Sequence, residues 1–163
     1  MNIFIQYLTV FFQIYIISVF LSGSGFLLKK KLFNENTYGS FENNILWGFI
    51  LISFISLIIN FFLPLNEIVN SLFFLLLSLY IFIVKFFNQN VKKFIKSSFL
   101  TSTLAFILII HSNVNNPDAL LYHLPFTKIL NDYKILIGSS NIHHRFAHIS
   151  IIQYISGFFN LFL

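Results

Sequence analysis

The titratable side chains of this sequence are concentrated in one polar segment, residues 112–149. The segment holds four of the five histidines, the only arginine and two of the five acidic residues. Asp118 could act as a general base or as a ligand for a metal ion. Arg145 could bind phosphate oxygens through its planar fork of N–H donors. This combination suits chemistry on an anionic substrate, provided that the fold brings these side chains together.

The first part of this segment contains a helix start at residues 116–118, Asn-Pro-Asp. Asparagine caps helices, proline suits the first turn, and the helix dipole favours an acid there. The helix would place Asp118 and Tyr122 on one face, with His123 beside that face. We expect a short amphipathic helix on the membrane surface, which Pro125 would end or kink. Asp118 also has a simpler interpretation, since stabilising the helix start would by itself explain an acid there.

A second helix, capped at residue 140 or 141, would carry the remaining histidines toward the end of the chain. His144 and His148 are four residues apart and would share one helix face, which is compatible with a metal pair. No third ligand is assigned, and imidazoles at a membrane surface also contact lipid phosphates, so both interpretations stay open. His143 points elsewhere on the helix, and either His143 or His144 could bind phosphate together with Arg145.

The composition excludes an ordinary water-soluble core. Hydrophobic residues make up 57% of the chain and charged residues only 9%, with a mean hydropathy of +0.83, whereas soluble domains average about 25% charged residues. The formal net charge of +5 does not indicate nucleic-acid binding, because the lysines lie at the ends of apolar runs. Since the chain has no cysteine, disulfides and thiol chemistry are excluded.

Five apolar segments predict an all-α polytopic bundle, in a single membrane domain over residues 1–163. Each segment is expected to be a helix, because backbone groups that face lipid must be hydrogen-bonded internally. The first segment has no preceding basic residue and is too long for a cleaved signal peptide. The predicted helices span residues 3–28, 45–63, 71–87, 95–111 and 146–163, with an outer loop over residues 112–145.

The lysines predict how these helices are oriented. Three lysines, at 29–31, follow the first segment, and four lie around the loop after the third, whereas the loop after the second segment has none. Basic loops stay in the cytoplasm. We therefore expect the N-terminus, the loop after the second segment and the loop 112–145 on the outer face of a bacterial inner membrane.

The outer loop resembles a loop of uncharacterised bacterial polytopic membrane proteins that look related to the glycosyltransferase C superfamily. The resemblance rests on Asp118, Tyr122, His123, Pro125, Gly138, Asn141, His143, Arg145, Phe146 and Ser150. Members of that superfamily are multi-helix enzymes that use polyprenyl-phosphate-linked sugars, often with a divalent metal. By this resemblance Asp118 is the essential acid of an outer loop. The candidate substrate-binding residues are Tyr122, His123, Asn141, His143 and Arg145.

The resemblance also implies a chain longer than this one. The last segment ends at Leu163 without the polar or aromatic flank that usually finishes a membrane helix. We therefore expect the N-terminal part of a larger enzyme, inactive alone, with membrane lipid and a polyprenyl-phosphate sugar as its partners.

Two other functions fit the same pattern. An O-antigen polymerase or ligase would also use arginine and histidine residues on the outer face. A non-enzymatic membrane component, either part of a transporter or a structural subunit, belongs to a different class. The apolar segments hold almost no ionisable residues, which argues against ion-coupled transport but leaves a subunit role open.

Overall fold

The computed structural model describes residues 3–34, 39–83, 91–111, 121, 123–135, 141 and 151–160. These residues form six helices and no strand, which confirms the predicted all-α class. The helices are α1 (Ile3–Phe33), α2 (Phe41–Phe62), α3 (Glu67–Ile83), α4 (Val91–His111), α5 (Leu124–Asp132) and α6 (Ile151–Phe159).

Three of the described helices, α1, α2 and α4, are long and apolar enough to cross a membrane. This requires about 20 residues for a hydrocarbon core of roughly 30 Å. α3 is also apolar but has 17 residues, and its predicted continuation to residue 87 lies outside the described residues. α6 covers the middle of the predicted fifth span. The length criterion therefore supports three of the five predicted spans.

The helix boundaries follow local capping and charge. α1 continues through residues 29–31 instead of ending at 28, because cations near the C-terminal end of a helix interact favourably with its dipole. α2 follows Ser40, whose Oγ accepts a hydrogen bond from the N–H of Asn43 at 3.2 Å. α3 follows Asn66, whose Oδ1 accepts one from the N–H of Val69 at 3.0 Å. Both are side-chain caps of the usual kind.

Many exposed side chains of the described residues are large and apolar, while many of the buried ones are polar. Ile68 and Leu108, for example, are 79% and 70% exposed. The buried polar side chains include Ser22, Ser24, Asn44, Ser53, Ser56, Asn60, Asn70, Ser98 and Ser102. In a bilayer this distribution is favourable, because apolar side chains face lipid while small and polar ones pack between helices. The chain is therefore a membrane protein.

Packing divides the chain into two compact units. They consist of Met1–Leu51 with Leu77–Asn113, and of Ile52–Leu76 with Val114–Leu163. In the first unit, Phe11 of α1 lies edge-to-face against Phe99 and Phe106 of α4, with ring centroids 5.7 Å apart in each pair. Such pairs contribute about 0.5–1.5 kcal/mol each beyond their buried area. They therefore help to hold α1 against α4.

Two glycines in the first unit allow α1 and α2 to approach until their backbones meet. A Cβ atom on Gly25 would overlap the carbonyl oxygen of Asn44, and one on Gly48 would overlap that of Leu21. Helices in lipid associate mainly through close packing, and small residues make such close crossings possible. These two positions therefore require glycine.

In the second unit, the end of α2 and the residues after it are hydrogen-bonded to the end of α5. The N–H of Leu65 donates to the carbonyl of Leu130 at 2.9 Å, and that of Ile135 donates to the carbonyl of Asn60 at 2.8 Å. Buried Asn60 also donates through Nδ2 to the carbonyls of Leu130 and Tyr133, at 3.2 and 3.1 Å. These bonds join two segments that the lysine pattern assigns to the same membrane face.

α5 is an amphipathic helix within the predicted outer loop. Phe126 and Leu130 are buried on one side, whereas Asp132 is exposed on the other. Pro125 lies in the first turn of α5, where a backbone N–H is not needed. The described residues before α5, Leu121 and His123, are π-helical, so the type of helix changes next to this proline. The helix start predicted at residues 116–118 lies outside the described residues.

The glycine crossing of α1 and α2 predicts that Gly25→Ala destabilises the protein by about 3 kcal/mol or more, because backbone cannot move aside cheaply. Gly23→Ala is the matched control on the same helix, since its Cβ would meet the side chain of Ile81 at 2.9 Å, and that side chain can shift. Thermal unfolding in detergent should show a much lower midpoint for Gly25→Ala than for Gly23→Ala. Equal midpoints would contradict the crossing.

The hydrogen bonds of Asn60 predict that Asn60→Leu lowers the free energy of unfolding by about 1–3 kcal/mol, because buried carbonyls lose their donor. The control is Asn43→Leu, an exposed position in the first turn of the same helix. Hydrogen exchange should show faster exchange of the backbone amides of Leu65 and Ile135 in Asn60→Leu alone. Unchanged protection of both amides would show that Asn60 does not hold α5.

Candidate functional site

A cavity of about 610 Å³ lies in the second unit, beside the start of α3, α5 and the end of α6. This volume is within the range of roughly 300–1,000 Å³ that is usual for small-molecule sites. Eight of its ten lining residues are polar, with four amide side chains, two carboxylates, a lysine and a threonine, although apolar atoms make up the larger part of the lining surface. The amides and carboxylates belong to Asn66, Asn70, Asn131, Asn160, Glu67 and Asp132.

Asn70 is the most buried of these cavity-lining residues, with 1% of its surface exposed. Its Nδ2 donates to the carbonyls of Leu65 and Gly157, at 2.7 and 3.0 Å. Because both partners are carbonyl oxygens, the amide orientation is fixed with Nδ2 toward them. The buried Oδ1 then accepts no hydrogen bond from any described residue. An acceptor left in this state costs about 1–3 kcal/mol, unless something else donates to it.

Asn131 of α5 reinforces the same two carbonyls. Its Nδ2 donates to Leu65 and to Gly157, the latter at 3.1 Å. Asn160 in turn donates to Oδ1 of Asn131 at 3.4 Å. Gly157 lies in the last turn of α6 as described, where carbonyls have no partner within the helix. Asparagine side chains therefore complete the end of α6 and hold the cavity wall in place.

Exposed charged side chains line the outer part of the cavity. Glu67 stands in the first turn of α3, where the helix dipole favours an acid. Asp132 is the last residue of α5, where the dipole opposes an acid, and Lys128 precedes it by one turn. Two carboxylates against one ammonium leave the lining with a formal charge of −1.

His123 is the one predicted imidazole that the structure describes. It is exposed and immediately precedes α5, with helical backbone dihedrals of φ −67° and ψ −51°. Its Nδ1 lies 3.3 Å from Nε2 of Gln153, which is buried in α6. With the amide nitrogen as donor, Nδ1 accepts, and the proton of a neutral ring lies on Nε2. Gln153 thus orients His123.

The structure describes two of the predicted site residues, His123 and Asn141, and Asn141 is exposed. The candidate acid and the other candidate ligands lie outside the described residues, namely Asp118, Tyr122, His143, His144, Arg145 and His148. Among the described residues, no group of three or more His, Cys, Asp or Glu side chains is placed to hold a metal ion. The metal pair proposed at His144 and His148 stays a prediction.

Sequence reasoning did not identify the cavity residues, because it considered mainly titratable side chains in one segment. A usable indication was present, since Asn60 and Asn70 stand at the edges of long apolar runs. Polar side chains near lipid are costly and therefore tend to have partners or a function. Glu67 lies between Asn60 and Asn70 in the sequence, in the segment that the lysine pattern places on the outer face.

Comparison with known proteins gives a family without an assigned activity. No curated protein and no solved structure matches the chain significantly. A family model described as a domain of unknown function, DUF8201, matches residues 7–163. The match covers nearly all of the 163 residues, and it carries no link to glycosyltransferases. The chain belongs to the DUF8201 family.

Proposed function

We propose that this membrane protein is part of a glycosyltransferase-like enzyme that uses polyprenyl-phosphate-linked sugars. The observation that carries the proposal is a cavity of about 610 Å³ with mostly polar lining residues, in a protein whose described helices expose many large apolar side chains. A lipid-linked substrate has the same division, with an apolar tail and a polar head. Such a molecule can keep its tail in the bilayer while its head enters the cavity.

The position of the cavity at helix ends supports this proposal. Its lining comes from the start of α3, from α5 and from Asn160 directly after α6. It also includes Asn66, which closely follows the end of α2, a helix long and apolar enough to cross a membrane. The ends of membrane helices lie near the headgroup region, where the polar part of a lipid is found. A site at that depth reaches the head of a lipid-linked substrate without drawing the tail out of the bilayer.

The roles of individual residues follow from their chemistry. Asp118 would act as the catalytic acid residue, with Tyr122, His123 and Asn141 binding substrate groups. His143 and Arg145 would bind the phosphates through charge-assisted hydrogen bonds. A divalent cation bound near His144 and His148 is an open part of the proposal. Among these residues, His123 has support from the structure, because the side chain of Gln153 orients its imidazole ring.

The proposed location is a bacterial inner membrane, with the cavity on the outer face. The loop after α2 lacks basic residues, whereas lysines lie near the end of α1 and at the start of α4. The positive-inside rule therefore favours the outer face for the cavity. Lipid-linked sugars for the cell envelope would be used on that face.

The catalytic proposal predicts that Asp118→Asn, in the full-length protein, reduces lipid-linked or polysaccharide product by about 100-fold or more. The matched control is Glu42→Gln, which removes an exposed acid at the start of α2, outside the cavity. Product is measured by mass spectrometry, with membrane levels of each variant checked by immunoblot. Unchanged product from normally inserted Asp118→Asn would contradict the enzyme proposal and favour a structural subunit.

The proposed orientation is testable because the chain has no cysteine of its own. We expect Asn141→Cys to react with a membrane-impermeant maleimide in intact spheroplasts. Lys30→Cys, an exposed position near the end of α1, should react only after the membrane is opened. The reverse pattern would place the cavity in the cytoplasm.

A further inference from the structure

We propose that a groove between α1 and α4 binds a phospholipid with an anionic headgroup. The groove lies within the first unit and has a volume of about 580 Å³. None of its residues belongs to the cavity or to the predicted catalytic set, so this site is independent of the proposed enzyme. The lysine groove, as we call it, is lined by Phe11, Phe12, Tyr15, Ile95, Lys96 and Phe99.

Aromatic rings form the walls of the lysine groove. The ring of Phe11 packs edge-to-face against that of Phe12, with centroids 6.0 Å apart, and against that of Phe99, at 5.7 Å. Edge-to-face contacts hold rings in preferred orientations, so these walls are preorganised. In lipid, molecules are held together mainly by van der Waals packing. A rigid apolar wall of this kind suits an acyl chain.

The two helices run antiparallel along the groove, which places Lys96 at one end of it. Tyr7 of α1 packs against Phe106 of α4, with ring centroids 6.4 Å apart. Two turns later on α1, the hydroxyl oxygen of Tyr15 lies 3.3 Å from Oγ of Ser98. Lys96 therefore stands at the Tyr15 end, toward the start of α4. An acyl chain bound with its headgroup at that end would run deeper into the bilayer along the groove.

Lys96 gives the groove a preference for anions. Its side chain is exposed, and it is the one charged residue among those described as lining the groove, which therefore has a formal charge of +1. Neither α1 nor α4 contains an acidic residue. Lys96 is the third residue of the apolar part of α4, Phe94–His111, so it lies only about 3 Å inside that part. At this depth its ammonium can reach the headgroups, and a headgroup anion would supply the counter-charge.

An anionic phospholipid fits the whole groove, because one molecule then neutralises the lysine and covers the aromatic walls. A soluble anion would leave the walls without a partner, and a zwitterionic lipid would bring a second ammonium close to Lys96. The lysine pattern assigns the start of α4 to the cytoplasmic leaflet. Anionic lipids give that leaflet its negative surface potential, so the proposed ligand is abundant there.

Native mass spectrometry of the full-length protein in detergent tests the role of the lysine. The probes are palmitoyl-oleoyl phosphatidylglycerol and palmitoyl-oleoyl phosphatidylcholine, which share their acyl chains and differ in headgroup charge. We expect the first phosphatidylglycerol to bind about fivefold more tightly than phosphatidylcholine, and Lys96→Gln to remove this preference. Lys30→Gln is the matched control, since it removes an exposed lysine near the end of α1, outside the groove. This control should keep the preference.

A second pair of variants tests the aromatic wall. Phe12→Ala should weaken the binding of both lipids by about threefold or more, because the acyl chain loses van der Waals contacts. Phe54→Ala is the matched control on α2, where Phe54 is 52% exposed and Phe12 is 53% exposed. Phe54 does not line the groove, so its replacement should leave the binding of both lipids unchanged.

Three results would overturn the proposal. One is that Lys96→Gln keeps the preference for phosphatidylglycerol, or that Lys30→Gln loses it to the same extent, since the charge effect would then not belong to the groove. Another is equal lipid binding by Phe12→Ala and Phe54→Ala. The third is a protein dimer that Phe12→Ala dissociates, which would make a second copy of the chain the occupant of the groove.

Discussion

The second unit depends on two backbone carbonyls, those of Leu65 and Gly157, that each accept from the side chains of Asn70 and Asn131. Hydrogen bonds of this kind are electrostatically stronger in a low-dielectric interior than in water. Leaving such carbonyls unpaired there would be correspondingly costly. The four bonds tie the residues after α2, the start of α3, α5 and α6 to one another. The cavity exists because these elements are held in that arrangement.

The membrane environment explains why amides perform this role. In lipid, burying apolar surface gives little gain, so helices are held by close packing and by polar contacts. The first unit uses close packing, with glycines at 25 and 48 and aromatic pairs between α1 and α4. The second unit uses asparagines at the helix ends, where carbonyls lack partners within the helix. A neutral amide satisfies such a carbonyl without burying a charge.

The same geometry connects stability to the proposed function. The Nδ2 of Asn70 donates to two backbone carbonyls, while its buried Oδ1 accepts no hydrogen bond from a described residue. Asp132 stands at the helix end that disfavours it. Both features lower the stability of the second unit. Strain of this kind is commonly found at functional sites.

The sequence by itself determined the helical class, the membrane environment and most helix positions, because these follow from the length of apolar runs and from local caps. His123 and Asn141 stay predictions as site residues, and neither of them lines the cavity next to α5. Only the tertiary structure decided which side chains line that cavity. Asn60 bonds to a carbonyl 70 residues away, and Asn70 to one 87 residues away. A buried asparagine requires some partner, but local pattern does not specify which distant carbonyl the packing of the helices will supply.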